Sequence, residues 1–285
     1  MRIEKEFNEI VKGNEPMQTI TLANGIEIPV VGTGTNTYGK EGNQYNGELN
    51  GDFNALKSAI QAGYRLVDTA ISYRNEAGVG KTIFESGIPR EEFYITTKIP
   101  VDDAYIGSKE LVEQTVLSSL ENLKTDYIDL YLIHQPIEDE AKLKQTWQVL
   151  ESFVDKGKIK SIGVSNFTID MLEAVHNFAR IQPVVNQIQS NPHTWNHELI
   201  DYLLKNDIVP EAWGPLSKVS LEQISKLDRI AENYGKNWGQ ILLRYQIQRG
   251  VVVIPKSHNV ERQASNLELF DFELTKEDQF VIESL

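Results

Sequence analysis

Eight short apolar or β-branched runs, helical spacing in the intervals between them, and a reactive polar residue at the end of every run predict an α/β fold. The expected form is a single (α/β)8 TIM barrel with an N-terminal β-hairpin and an extra helix between strands 7 and 8. Parallel strands need crossover connections, and right-handed crossovers repeated in one direction close into a barrel. A doubly wound open sheet uses the same alternation and is the competing architecture.

Residues 1–16 read as a polar N-terminal arm, and 17–285 as one barrel domain without a Pro/Gly/Ser linker to divide it. In MQTITLANGIEIPV, Asn24-Gly25 lies between two β-prone runs, which predicts a hairpin with a type I′ turn. The barrel strands are placed at 30–35, 64–70, 94–99, 129–134, 159–166, 184–189, 208–214 and 251–256. Helical spacing follows from Val112, Val116, Leu120 and Leu123, from Leu143, Trp147, Leu150 and Val154, from Leu172, Val175 and Phe178, and from Leu199, Leu203 and Leu204. Thr168 fits an N-cap, and Ser220 with Gln223 fits a capping box. Two helical stretches, 221–233 and 238–249, separate strands 7 and 8. The Gly- and Asn-rich segment 38–52 reads as a long loop after strand 1, near the barrel mouth and mobile.

Composition narrows the function. Lys and Arg number 28 against 41 Asp and Glu, a net charge of −13, so a nucleic acid or an anionic membrane would meet repulsion. The absence of Cys removes disulfides, zinc-thiolate sites, iron-sulfur clusters and thiol nucleophiles. The first twenty residues hold no continuous apolar region of a signal peptide, and no later run is long enough to span a membrane. The expectation is a cytoplasmic protein, a monomer or weak dimer, acting on a small molecule.

Barrels present function at the C-terminal ends of their strands. Those ends carry Thr35, Asp68, Lys98, His134, Ser165 with Asn166, Gln187, Trp213, and Lys256 with Ser257. Any one of them is explained by a strand end turning to water, but convergence on one rim is not. Asp68, Tyr73, Lys98 and His134 hold the chemistry: an ammonium favours a neighbouring phenolate, and a carboxylate keeps that ammonium charged. With His134 aligning a carbonyl oxygen against the Tyr73 hydroxyl, such a group protonates an oxygen that gains negative charge.

GYRLVDTAISYRNEAGVGKTI (63–83), YITTKI (94–99), IDLYLIHQP (128–136), KIKSIGVSNF (158–167), PVVNQIQSNP (183–192) and GVVVIPKS (250–257) resemble, in this order, the aldo-keto reductase family. The resemblance spans about residues 17–274 and is nearest to bacterial members such as 2,5-diketo-gluconate reductases. It implies NADPH bound without a Rossmann fold, ordered reduction of aldehydes or ketones, and a catalytic tetrad at Asp68, Tyr73, Lys98 and His134. Ser165, Asn166 and Gln187 match the residues that hold the nicotinamide amide. Lys256, Ser257 and Arg262 match the grip on the 2′-phosphate, and Asn266 the adenine contact. Thr35 and the segment Trp213, Gly214, Pro215 and Leu216 are assigned to the cofactor too. An Arg fork with an ammonium suits a phosphate dianion, so NADPH is expected over NADH.

Departures bear on substrate choice. Trp213 stands where the family usually has a stacking Tyr, and Gly214 replaces the serine after it. Asn36 stands where an aromatic walls the substrate pocket, the loop 38–52 is long, and little chain follows Phe270 to Leu274. An open pocket with broad small-carbonyl specificity is expected. Residues 75–82 (NEAGVGKT) superficially match the end of a phosphate-binding loop but lack its first Gly, and helix packing explains them better. His193 and His197 have zinc-pair spacing, yet Thr194 takes the Glu position and no third ligand is evident, so no metal is expected. Gly32-Thr33-Gly34 lacks the third Gly of a dinucleotide fingerprint. An NADPH-binding subunit without useful turnover is the main alternative, ahead of an aldolase that would need Lys98 neutral.

Overall fold

The computed structural model describes residues 2–10 and 18–285. Its elements are α1 (Arg2–Ile10), β1 (Thr19–Thr21), β2 (Glu27–Pro29), β3 (Gly32–Gly34), α2 (Asn54–Ala62), β4 (Leu66–Asp68), α3 (Glu76–Glu85) and β5 (Tyr94–Ile99). Next come α4 (Asp103–Ile106), α5 (Lys109–Asn122), β6 (Ile128–Ile133), α6 (Glu140–Asp155), β7 (Ile159–Ser165), α7 (Ile169–Phe178) and β8 (Val185–Gln189). The chain ends with α8 (His197–Lys205), β9 (Val209–Trp213), α9 (Leu221–Glu232), α10 (Trp238–Gln248), β10 (Val252–Val253), α11 (Val260–Ser265) and α12 (Lys276–Glu283).

Strands β3 to β10 pair in sequence order, every ladder parallel. A parallel bridge between Val31 and Val253, with Val253 N donating to Val30 O at 3.0 Å, joins the last strand to the first and closes the barrel. Closure excludes the open sheet, because an open sheet keeps two unpaired edges. The pair α9 and α10 between β9 and β10 is the expected extra helix, and Thr168 and the Ser220–Gln223 capping box sit where predicted.

The strands are buried on both faces, as parallel strands covered by helices require. Helix stripes supply the cover. Leu143, Trp147, Leu150 and Phe153 of α6 are buried together, and Trp147 spends its indole N–H on Ile181 O at 3.0 Å. At the opposite end from the reactive strand termini, Asn24 Nδ2 donates to Ser161 Oγ at 2.9 Å, which seats the hairpin on the start of β7.

Two local readings are corrected. The hairpin turn is not type I′: only Gly25 has positive φ (84°), Gly25 N donates to Leu22 O, and Leu22 N donates to Ile26 O. This is a three-residue loop whose αL glycine forms a bulge, which places one demanding conformation on the one residue without a Cβ. Residues 2–10 of the polar arm form helix α1, because Ile3, Phe7 and Ile10 share one face and are buried. Arg2 Nη1 donates to Thr21 O at 2.7 Å and Thr21 N donates to Glu6 Oε2 at 2.8 Å, tying that helix to β1. The rest of the arm, with Met17, lies outside the described residues.

Phe7 is 2% exposed and is the largest side chain on the buried face of α1. Phe7→Ala is expected to lower the unfolding free energy by about 3 kcal/mol, checked by urea denaturation.

Candidate active site

Ladder pairing sets Asp68, the last residue of β4, level with Gly34 and Thr96, and aligns Ser165, Gln187 and Glu211 across β7, β8 and β9. Side chains from five strands therefore meet over one patch of the barrel mouth. A cleft of about 470 Å³ opens there, to which Thr35, Asp68, Tyr73, His134, Ser165, Asn166, Gln187, Trp213, Gly214, Pro215, Leu216 and Lys256 all contribute.

Lys98 lies beneath that cleft, fully buried. Its Nζ donates to Asp68 Oδ1 at 2.8 Å, to Asp68 Oδ2 at 2.7 Å and to Thr69 O at 2.9 Å, and it lies 3.3 Å from Tyr73 Oη. Burial alone would depress the ammonium, but Asp68, aided by Tyr73, outweighs it and holds Lys98 above its ordinary value. The lysine is a fixed cation, which removes the neutral amine an aldolase needs.

Tyr73 occupies a short 3-10 turn between β4 and α3. Burial is the largest effect on its phenol, Lys98 works against burial, Asp68 works with it, and the result is a value pushed up to about 12. The sequence reading expected Lys98 to lower this group. Lys98 does so, but desolvation wins, and the hydroxyl holds its proton at neutral pH. His134 meets Tyr73 edge to face at 5.7 Å between ring centroids. Burial, then the charge of Lys98, pushes its imidazole down to about 3, so it stays neutral.

The far wall is a hydrogen-bonded chain. Ser165 Oγ donates to Gln187 O at 2.9 Å, Asn166 Nδ2 donates to Ser165 Oγ at 3.1 Å, and Trp213 Nε1 donates to Asn166 Oδ1 at 2.9 Å. Asn166 holds a left-handed backbone (φ 62°), a conformation Asn tolerates better than most residues. Gln187 Nε2 donates both to Asp68 Oδ2 at 2.8 Å and to Glu211 Oε1. Burial and then the Asp68 charge raise the Glu211 carboxyl well above the usual carboxylate range.

Gly214 has φ 61°, and a Cβ there would lie 2.7 Å from Ser217 Oγ. The positive φ favours glycine, and the Ser217 hydroxyl, which donates to Gly214 O at 2.7 Å, lies where a larger residue 214 would project. Lys256 Nζ donates to Thr37 Oγ1 at 3.0 Å at the cleft edge. Ser257, Arg262 and Asn266 fall outside the cleft lining: Ser257 accepts from Asn259 N at 3.1 Å beside the start of α11, exposed Arg262 lies on that helix, and buried Asn266 ends it.

Several contributors escaped the sequence reading. Gln135 and Ser217 line the cleft, and their adjacency to His134 and Gly214 was the available signal. Glu211 was legible as a carboxylate inside an apolar strand. Asn75, read only as a failed phosphate-loop position, is 2% exposed and donates to Thr35 O at 2.8 Å and Tyr38 O at 3.1 Å while accepting from Thr69 Oγ1. It ties the ends of β3 and β4 together. Gly80 packs so closely that a Cβ would lie 2.5 Å from the Leu123 backbone, in keeping with a helix-packing role for that segment. His193 bonds Lys218 O at 2.7 Å while His197 faces Glu283, so the two imidazoles serve different partners. Among the described residues no cluster of three His, Asp or Glu fits a metal, and no helix is long and apolar enough to cross a membrane.

Residues 30–285 match the family described as the Aldo/keto reductase family. Glyoxal reductase of Bacillus subtilis strain 168 is 42% identical over 268 residues, covering 94% of this chain and 92% of that protein. An aldo/keto reductase crystal structure from Brucella melitensis superposes with a TM-score of 0.84 at 37% identity, over 94% of this chain and 98% of that one. A Bombyx mori aldo-keto reductase, solved in complex with NADP, gives 0.83 at 35% identity, over 93% and 91%.

Because His134 is depressed far below the ordinary histidine value, its ring resonances are expected to stay flat from pH 5 to 8 in NMR titration. The unfolded chain takes up that proton near pH 6.5 and the native state does not, so this group's contribution to stability is full above pH 6.5 and is lost progressively below it.

Proposed function

The chain belongs to the aldo/keto reductase family, and on that premise we propose that it reduces the carbonyl of small aldehydes and ketones to alcohols with NADPH. The observation that carries the reading is the buried Asp68–Lys98 pair set under the protonated Tyr73 hydroxyl, beside a neutral imidazole.

The cleft suits a nicotinamide nucleotide. Trp213 presents a flat face pinned through its indole N–H, and Gln187 has its amide nitrogen committed to two carboxyl groups, which leaves Oε1 to accept a bond from a carboxamide. Lys256, Ser257 and Arg262 supply the donors for a 2′-phosphate at the other end, and Asn266 sits by the adenine position. Thr35 and Pro215 to Leu216 border the cofactor side of the cleft. Ser217 restores, from three residues further on, the hydroxyl that Gly214 removes. When bound, the nucleotide supplies a hydride to the carbonyl carbon.

Tyr73 is the general acid. As negative charge grows on the substrate oxygen, Tyr73 passes its proton to that oxygen, and Lys98 stabilises the phenolate left behind. Asp68 keeps Lys98 charged throughout. His134, neutral and half-buried, donates a hydrogen bond that orients the carbonyl oxygen toward Tyr73. Two pieces of support are independent of the tetrad: a relative carries the name glyoxal reductase, and the cleft lining includes the polar side chains of Asn36 and Gln135. Short, oxygen-rich carbonyl compounds suit such a pocket.

Tyr73→Phe is expected to lower turnover in an NADPH-oxidation assay by at least about 10²-fold, with NADPH affinity kept, because the ring stays and only the acid is lost. Lys256→Ala and Arg262→Ala are each expected to weaken NADPH binding by about tenfold or more while leaving NADH binding unchanged, as measured by fluorescence titration. Equal losses for both nucleotides would remove the 2′-phosphate assignment.

A further inference from the structure

The segment 38–52, expected as a mobile loop, is a folded excursion beside the cleft. Lys40 and Leu49 form an antiparallel bridge, Asn50 N donates to Gly39 O at 2.8 Å, and Gly39 N donates to Asp52 O at 3.0 Å. Arg74 Nη2 donates to Gly47 O at 2.9 Å, and the Tyr45 ring meets Tyr73 edge to face at 5.9 Å. A change in the backbone of this segment is therefore felt next to the proposed acid.

Asn-Gly occurs three times in the chain, at 24–25, 46–47 and 50–51. In such a pair the glycine nitrogen, with no Cβ on its own residue to shield it, attacks the asparagine Cγ when three conditions are met. The glycine N–H must be free, a donor must polarise the side-chain carbonyl, and the side-chain nitrogen must be free to leave. The structure separates the three pairs on these grounds. At the hairpin, Gly25 N is spent on Leu22 O at 2.9 Å, and Asn24 Nδ2 is held by Ser161 Oγ at 2.9 Å and Lys160 O at 3.2 Å. Nucleophile and leaving group are both engaged. At the second pair Gly47 N donates to Gln44 O at 3.0 Å, and the residue is so enclosed that a Cβ there would collide with Glu41 O.

Asn50-Gly51 differs on each count. Both residues are exposed, Gly51 N donates to no group among the described residues, and a Cβ there would meet nothing within 4 Å. Asn50 Oδ1 accepts from Asp52 N at 2.9 Å, which sets a donor on the oxygen that gains negative charge as Cγ is attacked. Asn50 Nδ2 donates to no group among the described residues.

We propose that Asn50 is a self-modifying site, at which the chain closes to a succinimide and reopens as isoaspartate or aspartate, ageing the excursion beside the active site. The bond from Gly51 N to Asn50 Cγ forms, the Cγ–Nδ2 bond breaks, and ammonia leaves with the proton of Gly51 N. Water then opens the ring. Attack at the main-chain carbonyl carbon of residue 50 reroutes the chain through Cγ and frees an α-carboxylate, which is isoaspartate, whereas attack at Cγ gives aspartate. Nothing is oxidised or reduced, and water is the only co-reactant. The isoaspartate route lengthens the backbone by one atom before Gly51, inside the rung where Asn50 N and Asp52 O hold Gly39. This assignment stands apart from the reductase reading and needs no cofactor.

The test is site-resolved peptide mass spectrometry on the purified full chain aged in mildly alkaline, isotopically labelled water, folded and in parallel unfolded in urea. In urea the three pairs share one chemistry and are expected to convert at comparable rates. In the folded protein Asn50 is expected to stay within about threefold of its urea rate while Asn24 and Asn46 slow by about tenfold or more, since their glycine N–H groups must first break a backbone hydrogen bond. The product at 50 should carry a labelled oxygen and include isoaspartate. Protection of Asn50 equal to that of the other two, or conversion of Asn24 or Asn46 in the folded protein as fast as Asn50, would overturn the proposal. The aged fraction, separated by ion exchange on its added charge, is expected to exchange the Gly39 amide hydrogen about tenfold faster than fresh protein. Equal protection of that amide would refute the loosening of the excursion.

Discussion

The ion pair between Asp68 and Lys98 is the constraint around which the barrel mouth is arranged. Both side chains are withdrawn from water, at 3% and 0% exposure, and an ion pair buried that deeply is stable only when its remaining hydrogen-bonding capacity is met. The structure meets it from several directions. Thr69 O takes the third ammonium proton, Gln187 donates to the carboxylate from across the barrel, and Tyr73 closes the last side. Loss of either charge would leave the other buried and uncompensated, so the pair fixes the relative placement of β4, β5 and β8.

The surrounding titratable groups answer to burial first and to this pair second. Burial and then the Lys98 charge push His134 toward its neutral form, and burial and then the Asp68 charge raise Glu211. The Tyr73 phenol stays protonated because desolvation outweighs the cation's pull. Burial and the charge pair together leave Tyr73 with its proton and His134 uncharged, the states that the proposed reduction requires of them.

The barrel was readable because its signals are local and repeated. Every predicted strand overlaps an observed one, and the row of strand-end residues from Asp68 to Trp213 lands on one rim since parallel register carries sequence position directly into height along the barrel. What the residues alone did not reveal depends on contacts distant in sequence or on conformation. Asn75 binds Thr35 and Tyr38 across some forty positions, and no pattern announces that. The turn at Asn24-Gly25 looks the same in sequence whether one or two residues take positive φ. Residues 38–52 carry the composition of a loose loop, yet they are hydrogen-bonded into a fold of their own by contacts no pattern announces, among them buried Lys40 donating to the Asn36 and Tyr45 carbonyls. Helix α1 was hidden by its charged residues, which lie on the outer face while Ile3, Phe7 and Ile10 face inward.

The central claim, that this mouth brings a nicotinamide hydride to a bound carbonyl carbon, is tested most directly by following deuterium. Purified protein would be incubated with NADPH dideuterated at C4 of the nicotinamide and a short aldehyde, and the alcohol formed analysed by mass spectrometry. The account predicts one deuterium on the carbinol carbon for each NADPH oxidised. Tight NADPH binding with no labelled alcohol would contradict it and identify the chain as a nucleotide-binding protein built on a reductase barrel.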